Sequence, residues 1–224
     1  LADIGIYTPF NDNYPNSQTC INARTNTHIW EGDNAAYVNA LRMGGYAPHL
    51  GLVVTKGAVK SYEIWERGND KANSHTRGII ALNLPDIQLG PGKEYSISWR
   101  LFSHKGIDDF QQKVLEKGTV FVSCNKYVFE KGETARIELA GASGVQKCIV
   151  KKNSSITPMY KEGDKWIAEI VMDQLGEVHL DISYGTNKQT HATCLVISNV
   201  DSLIQKRVDF ILNHQQMKGS DRRK

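Results

Sequence analysis

Short apolar runs separated by turn residues recur along almost the whole chain, and this pattern constrains the fold more than any other feature. The runs are rich in β-branched and aromatic residues and are bounded by Gly, Pro or Asn, which is typical of β-strands. Ser61–Trp65 also alternates polar with apolar residues, and a period of two marks a strand with one buried face. The chain is therefore predicted to be all-β.

The spacing of the runs divides the chain into two β-rich parts. Residues 1–116 hold widely spaced strand candidates and one short helical pattern near Ile107–Leu115; they predict a large antiparallel β-sandwich of the supersandwich type, truncated at its N-terminus. Residues 117–199 hold strand candidates about ten residues apart, which fits a small immunoglobulin-like β-sandwich. A tyrosine corner is missing there, because Ala192 stands two residues before Cys194.

After Ser198 the apolar period changes to three and four residues, which predicts a helix over residues 200–224. Asp201 or Ser202 is the predicted N-cap, and Gly219 the predicted end. The helix is either a terminal packing helix or the start of a further domain. Both ends of the chain look like cuts in a longer polypeptide.

The charge balance excludes some classes of function. The chain has 27 Lys and Arg against 24 Asp and Glu, a net charge of +3, which is too balanced to indicate a nucleic-acid partner. No apolar run approaches the roughly 20 residues that a membrane-spanning helix needs. Residues 1–10 do not have the pattern of a signal peptide.

The four cysteines have no metal-ligand spacing, so no metal site is predicted. Cys148 and Cys194 could bridge the two sheets of the small sandwich, with Cys124 competing for either partner. The preferred interpretation is that all of them, with Cys20, are free thiols that pack as small apolar side chains.

No motif with a defined catalytic mechanism is present, so neither catalytic residues nor a cofactor are predicted. Instead, polar and aromatic residues cluster in the first part of the chain. Sugar sites pair an aromatic platform with Arg, Asp, Asn or His; the alternative is that the tryptophans are core and the charges are solvated. Asp108 and Asp109 are interpreted as first-turn residues of the short helix. The candidate carbohydrate-binding residues are Arg24, His28, Trp30, Arg42, Trp99 and His104.

Several phrases of the sequence occur together in a particular order. They are Arg24-x-x-x-His28-x-Trp30, Tyr37-x-x-Ala40-Leu41-Arg42-Met43-Gly44-Gly45, Leu50-Gly51-Leu52-Val53-Val54-Thr55-Lys56-Gly57, Arg77-Gly78-Ile79-Ile80-Ala81-Leu82, Tyr95-Ser96-Ile97-Ser98-Trp99-Arg100-Leu101-Phe102-x-His104 and Arg207-Val208-Asp209-Phe210-Ile211-Leu212-x-x-Gln215-Gln216. In this order they resemble a bacterial, often Bacteroides-type, family of uncharacterised six-hairpin glycosidase-like proteins. The resemblance implies a large N-terminal sandwich, an immunoglobulin-like segment and an α/α-toroid that opens at the helix from about residue 201 and is missing here.

The resemblance also implies a function. Toroid glycosidases take their catalytic carboxylates mainly from the toroid, so this chain is expected to be a non-catalytic portion of a secreted, periplasmic or cell-surface glycoside hydrolase acting on poly- or oligosaccharides. It would support the toroid, its partner within the same chain, and help to shape the cleft for a glycan. The alternatives are an independent carbohydrate-binding or adhesion module, a mutarotase-like enzyme, and a purely structural scaffold.

Overall fold

The computed structural model describes residues 4–8, 16–65 and 79–216. Within these ranges the protein is mostly β, with sixteen strands and three helices. The helices are α1 (Ser17–Ala23), α2 (Ile107–Glu116) and α3 (Val200–Phe210), the last of which continues into a π-helical turn, Ile211–Gln215. The strands are β1 (Gly5–Tyr7), β2 (Thr25–Gly32), β3 (Ala35–Arg42), β4 (His49–Lys56), β5 (Ser61–Trp65), β6 (Ile79–Asn83), β7 (Ser98–His104), β8 (Phe121–Cys124), β9 (Val128–Glu130), β10 (Thr134–Ala140), β11 (Cys148–Lys152), β12 (Ser155–Pro158), β13 (Tyr160–Glu162), β14 (Lys165–Val171), β15 (Gly176–Tyr184) and β16 (Lys188–Ile197).

The strands form four small sheets. Sheet 1 has the order β1-β6-β5, sheet 2 the order β2-β3-β4-β7, sheet 3 the order β13-β14-β10-β8, and sheet 4 the order β12-β11-β15-β16-β9. Every strand pair is antiparallel except β9 with β16 in sheet 4.

Sheet 2 is covered on both of its faces. Its Val38 and Leu52 pack with Ile80 and Leu82 of sheet 1, and its opposite face packs against α2. Residues 35–40 of β3 are consequently buried without interruption, as expected for a strand with a layer on each side. Sheets 3 and 4 share one separate core.

The predicted fold class is wrong. It combined a large antiparallel sandwich of the supersandwich type with a small immunoglobulin-like sandwich, whereas the described chain has four sheets of three to five strands. In the number and size of its sheets the protein resembles a four-bladed β-propeller, in which each blade is a small sheet. Alternation identifies the buried face of a strand but not its partner; β6 pairs with β1 and with β5 in sheet 1 instead of enlarging sheet 2.

The local predictions succeed more often than the fold class. The helix predicted near Ile107–Leu115 is α2, and Asp109 lies in its first turn, where its carboxylate accepts a hydrogen bond from the Lys105 backbone N–H at 2.7 Å. That bond lowers the pKa of Asp109. Strand β5 has its predicted bounds, Ser61–Trp65.

The C-terminal helix is present, but its N-cap is Asn199 rather than Asp201 or Ser202. The Asn199 side chain accepts a hydrogen bond from the Ser202 backbone N–H at 3.2 Å. The predicted end at Gly219 lies outside the described residues. Among those residues no helix has the length and apolar character that a membrane span requires. The predicted domain boundaries after residues 116 and 199 stay predictions.

All four cysteines are free thiols, as preferred from the sequence. A bridge between two sheets from Cys148 to Cys194 is excluded, because both lie in sheet 4, on strands separated by β15. Cys124, in sheet 3, instead lies near Cys194, and the interaction of the two thiols lowers the pKa of Cys124 and raises that of Cys194. Burial raises the pKa of Cys148 to about 11.

Candidate functional site

A small aromatic pocket lies on the face of sheet 2 that α2 covers. In the β2–β3 register Trp30 is opposite Tyr37 and His28 is opposite Asn39, so these four side chains share one face. The cavity has a volume of about 200 Å³. It is lined by His28, Ile29, Trp30, Tyr37, Asn39, Leu41, Ile107, Phe110 and Phe121.

Stacked rings form the wall of this aromatic pocket. The ring centroids of Trp30 and Tyr37 are 6.0 Å apart and nearly parallel, and those of Tyr37 and Phe121 are 5.0 Å apart. Phe110 of α2 meets Tyr37 edge-on at 5.9 Å. The Trp30 indole N–H donates to the Thr190 hydroxyl at 3.4 Å. Trp30 is thus fixed between sheet 2 and sheet 4, with part of its surface exposed.

Two buried polar atoms of residues that line the pocket lack hydrogen-bond partners among the described residues. They are the Asn39 Oδ1 atom and the Tyr37 hydroxyl, and Asn39 is only 9% exposed. The backbone of Val122 lies near the Tyr37 hydroxyl, but burial dominates and raises the pKa of Tyr37. Buried polar groups are normally paired, so these two atoms are exceptions within the described part of the chain.

A charged pair borders the pocket on the outer side of Trp30. The Glu31 carboxylate lies 3.3 Å from His191 Nε2, and the His191 ring stacks on Trp30 with a centroid distance of 6.2 Å. The hydrogen bond between them raises the pKa of His191 and lowers that of Glu31. His179 follows at 4.8 Å from His191.

The structure brings together only two of the six predicted carbohydrate-binding residues, His28 and Trp30. Trp99 is 45% exposed. It lies on β7, at the opposite edge of sheet 2 from Trp30, and pairs with Val54 of β4. The strand register places it on the opposite face of the sheet from Trp30. The two tryptophans therefore do not form one platform.

The remaining three predicted residues have structural contacts. His104 is 1% exposed; its Nδ1 lies 3.0 Å from the Gly106 carbonyl, and burial lowers its pKa. The Arg42 guanidinium donates to the Asn22 carbonyl, which ties β3 to α1. Arg24 ends α1, and its guanidinium donates to the Ala23 carbonyl at 3.1 Å.

Sequence reasoning did not select Asn39, Ile107, Phe110 and Phe121, which complete the pocket. Asn39 follows Tyr37 by two residues, so the period of a strand places both on one face; that signal was available. The other three come from α2 and β8, and only tertiary packing brings them to sheet 2. Among the described residues no group of three or more His, Cys, Asp or Glu could hold a metal ion.

Comparison with known proteins shows a close similarity to a solved structure. A solved structure described as a polysaccharide lyase, from Bacteroides, is 60% identical over 98% of this chain, with a TM-score of 0.85. The chain spans only 33% of that protein's length. A maltogenic amylase from S. marinus aligns with 76% of this chain and 31% of its own at 9% identity and a TM-score of 0.28, a likeness too weak to carry an argument. No family model and no curated protein matches.

Proposed function

We propose that this chain is part of a carbohydrate-active enzyme of the polysaccharide lyase type and contributes to carbohydrate processing. The observation that carries the proposal is the 60% identity to a polysaccharide lyase over 98% of the chain. At that identity two proteins share their fold and their local side-chain arrangements. The relative is described as a lyase, and for this reason the proposal replaces glycoside hydrolysis with lyase chemistry.

The role proposed for the chain itself is non-catalytic support and glycan contact. The pocket at His28 and Trp30 pairs aromatic surface, which suits the apolar face of a sugar ring, with the unpartnered Asn39 Oδ1 and Tyr37 hydroxyl, which suit its hydroxyl groups. Of the polar residues in the lining, His28 is exposed, and its ring nitrogens would exchange hydrogen bonds with a sugar hydroxyl. The proposed location is periplasmic or extracellular, where polysaccharides are met.

Helix α3 supports a structural role towards another part of the enzyme. None of its residues is buried, and its exposed apolar side chains include Leu203, Ile204 and Val208. An exposed apolar helix face of this kind marks a contact surface. The proposed partner is the remaining length of the same enzyme.

The test is calorimetric titration of the 224-residue chain with a panel of neutral and acidic oligosaccharides, in three single variants. We expect Trp30→Ala and His28→Ala to weaken binding by about tenfold or more, because loss of one stacked or hydrogen-bonded contact removes about 1–2 kcal/mol. Trp99→Ala is the matched control, since it removes an exposed tryptophan from the opposite face. Circular dichroism verifies that each variant is folded.

Equal losses in all three variants, or no binding to any oligosaccharide, would remove the pocket from the proposal. The second candidate is an independent carbohydrate-binding module. Tight binding of an oligosaccharide by the 224-residue chain alone would favour it. His28 is exposed, so His28→Ala leaves the core intact. A loss of binding in this variant is therefore not caused by misfolding.

A further inference from the structure

Two of the four cysteines meet where the chain crosses from sheet 3 to sheet 4. Cys124 is the last residue of β8, the edge strand of sheet 3. A short connection then leads into β9, which pairs in parallel with β16 so that Val128 lies opposite Leu195. The Leu195 backbone N–H donates to the Tyr127 carbonyl at 2.8 Å. The crossing therefore holds Cys124 beside Cys194, the residue that precedes Leu195.

The two thiols interact at the shared core of sheets 3 and 4. Cys194 is 1% exposed and belongs to this core, and the partly buried Cys124 packs against it. The interaction lowers the pKa of Cys124 and raises that of Cys194. Cys124 thus has the larger fraction of thiolate, the nucleophilic form, and faces solvent in part, whereas Cys194 is closed to solvent.

The second fully buried cysteine of this core is too far away to compete. Cys148 pairs with Tyr184 and Cys194 pairs with Val178, six positions apart on β15, which is about 20 Å along a strand. A disulfide needs Cα atoms within about 7 Å of each other. Cys20 lies in α1, outside this core. Cys124 and Cys194 are therefore the pair that is placed for a bridge.

We propose that Cys124 and Cys194 are a redox site and form a disulfide that joins sheet 3 to sheet 4. The oxidant is itself a disulfide, of a disulfide-exchange protein or of oxidised glutathione. The Cys124 thiolate attacks one sulfur of that disulfide, whose other half leaves as a thiolate. Cys194 then attacks the Cys124 sulfur and displaces the second half, which takes up the Cys194 proton. Two protein thiols are oxidised while one external disulfide is reduced to two thiols.

The bridge lies next to the strand that holds the start of α3. The Glu130 carboxylate of β9 accepts hydrogen bonds from the Asn199 side chain at 2.9 Å and from the Val200 backbone N–H at 3.3 Å. Oxidation would therefore fix the base of the helix to which a contact role is proposed. The inference goes beyond the proposed function and takes from it only the oxidising surroundings of a periplasmic or extracellular location.

The experiment incubates the reduced 224-residue chain with oxidised glutathione and then unfolds it in N-ethylmaleimide, which blocks the remaining thiols. Mass spectrometry of the intact chain and of its tryptic peptides identifies each bridge and each glutathione adduct. Cys124→Ala and Cys194→Ala are the test variants. Cys148→Ala, which removes a buried cysteine from the same core, is the matched control. Thermal unfolding with and without reductant measures the effect of the bridge.

We expect the wild type and Cys148→Ala to link Cys124 to Cys194. Cys194→Ala should retain one glutathione on Cys124, whereas Cys124→Ala should gain neither a bridge nor an adduct at Cys194, because Cys194 is closed to solvent. The bridge should raise the melting temperature of the wild type by about 5–10 °C, because it restricts the unfolded chain over a loop of about 70 residues. Reductant should reverse this rise.

Free thiols at both positions after treatment of the folded wild type would overturn the inference, and so would a bridge that uses Cys20 or Cys148. A bridge that lowers the melting temperature would also overturn it, because β8 and β16 would have to leave their native positions to form it. No glycan is present in this assay, so its outcome is independent of the pocket at His28 and Trp30.

Discussion

The described residues up to 116, the first region, and residues 117–197, the second region, are both built from small, mainly antiparallel sheets. They bury their side chains differently. In the second region β15 and β16 alternate, with one face in the core and the other in solvent. In the first region β3 is buried on both faces. The apolar side chains of the second region gather in one core, whereas those of the first divide between two smaller ones.

The unpartnered buried polar atoms differ as well. Those found in the described chain belong to Thr8, Tyr37, Asn39 and His104, all in the first region. Unpaired buried polar groups lower stability, and proteins retain such violations mainly at functional sites. The unpartnered buried polar atoms found in the described chain thus lie in the region to which the glycan contact is proposed.

The largest expected effect tests the single core of the second region. Leu180 is 0% exposed on β15, and Leu180→Ala should lower the free energy of unfolding by about 2–5 kcal/mol, because it leaves a cavity in a packed core. The measurement is urea denaturation. Leu195→Ala, on the neighbouring strand and 42% exposed, is the control and should change stability by about 0.5 kcal/mol. Equal losses would mean that β15 and β16 do not share a one-sided core.

A pair of polar-to-apolar changes sharpens the difference between the regions. Asn39→Leu should raise the free energy of unfolding by about 1 kcal/mol, because it removes an unpartnered buried oxygen, and should abolish oligosaccharide binding. Thr190→Val, in the second region, should lower it by about 1 kcal/mol, because the Thr190 hydroxyl accepts from the Trp30 indole. Thermal and urea unfolding, with calorimetric titration, measure both. Loss of stability in Asn39→Leu would contradict a ligand-binding role for this side chain.

The smallest effect concerns the ion pair between Glu31 of the first region and His191 of the second. The raised pKa of His191 gives stability that is fully present below its unfolded value and is lost as pH rises through the folded one. The lowered pKa of Glu31 gives stability that is present above its unfolded value and is lost as pH falls. Glu31→Gln should therefore cost about 1 kcal/mol near pH 5.5 and less towards pH 9.

Urea denaturation across this pH range measures the effect. Other titratable groups lie around His191, namely His179, Asp181 and Asp33. The control variant is therefore Glu177→Gln, which changes an exposed carboxylate on β15 and leaves this cluster intact. A difference between wild type and Glu31→Gln that stays constant with pH would mean that the pair does not couple the two regions.

Much of the local structure follows from the sequence because it depends on neighbouring residues. Period-two alternation is visible in β15 and β16, and three- to four-residue spacing in α2 and α3. No strand was singled out from the sequence over β2, whose burial pattern is irregular. The contacts that its Trp30 and His28 make involve β16 and α2, which are distant in the sequence. Of the candidate site, the sequence indicated two residues, and the period of β3 could have added Asn39.

By itself the sequence determined that the chain is mostly β, that a helix follows residue 199, and that no catalytic motif is present. The tertiary structure alone decided which strands pair, and therefore that four small sheets form instead of a large sandwich. It also decided that Trp30 and Trp99 lie on opposite faces of sheet 2. The reason is that alternation is a property of one strand, whereas pairing and the covering of a sheet by α2 or sheet 1 depend on residues far apart in the chain.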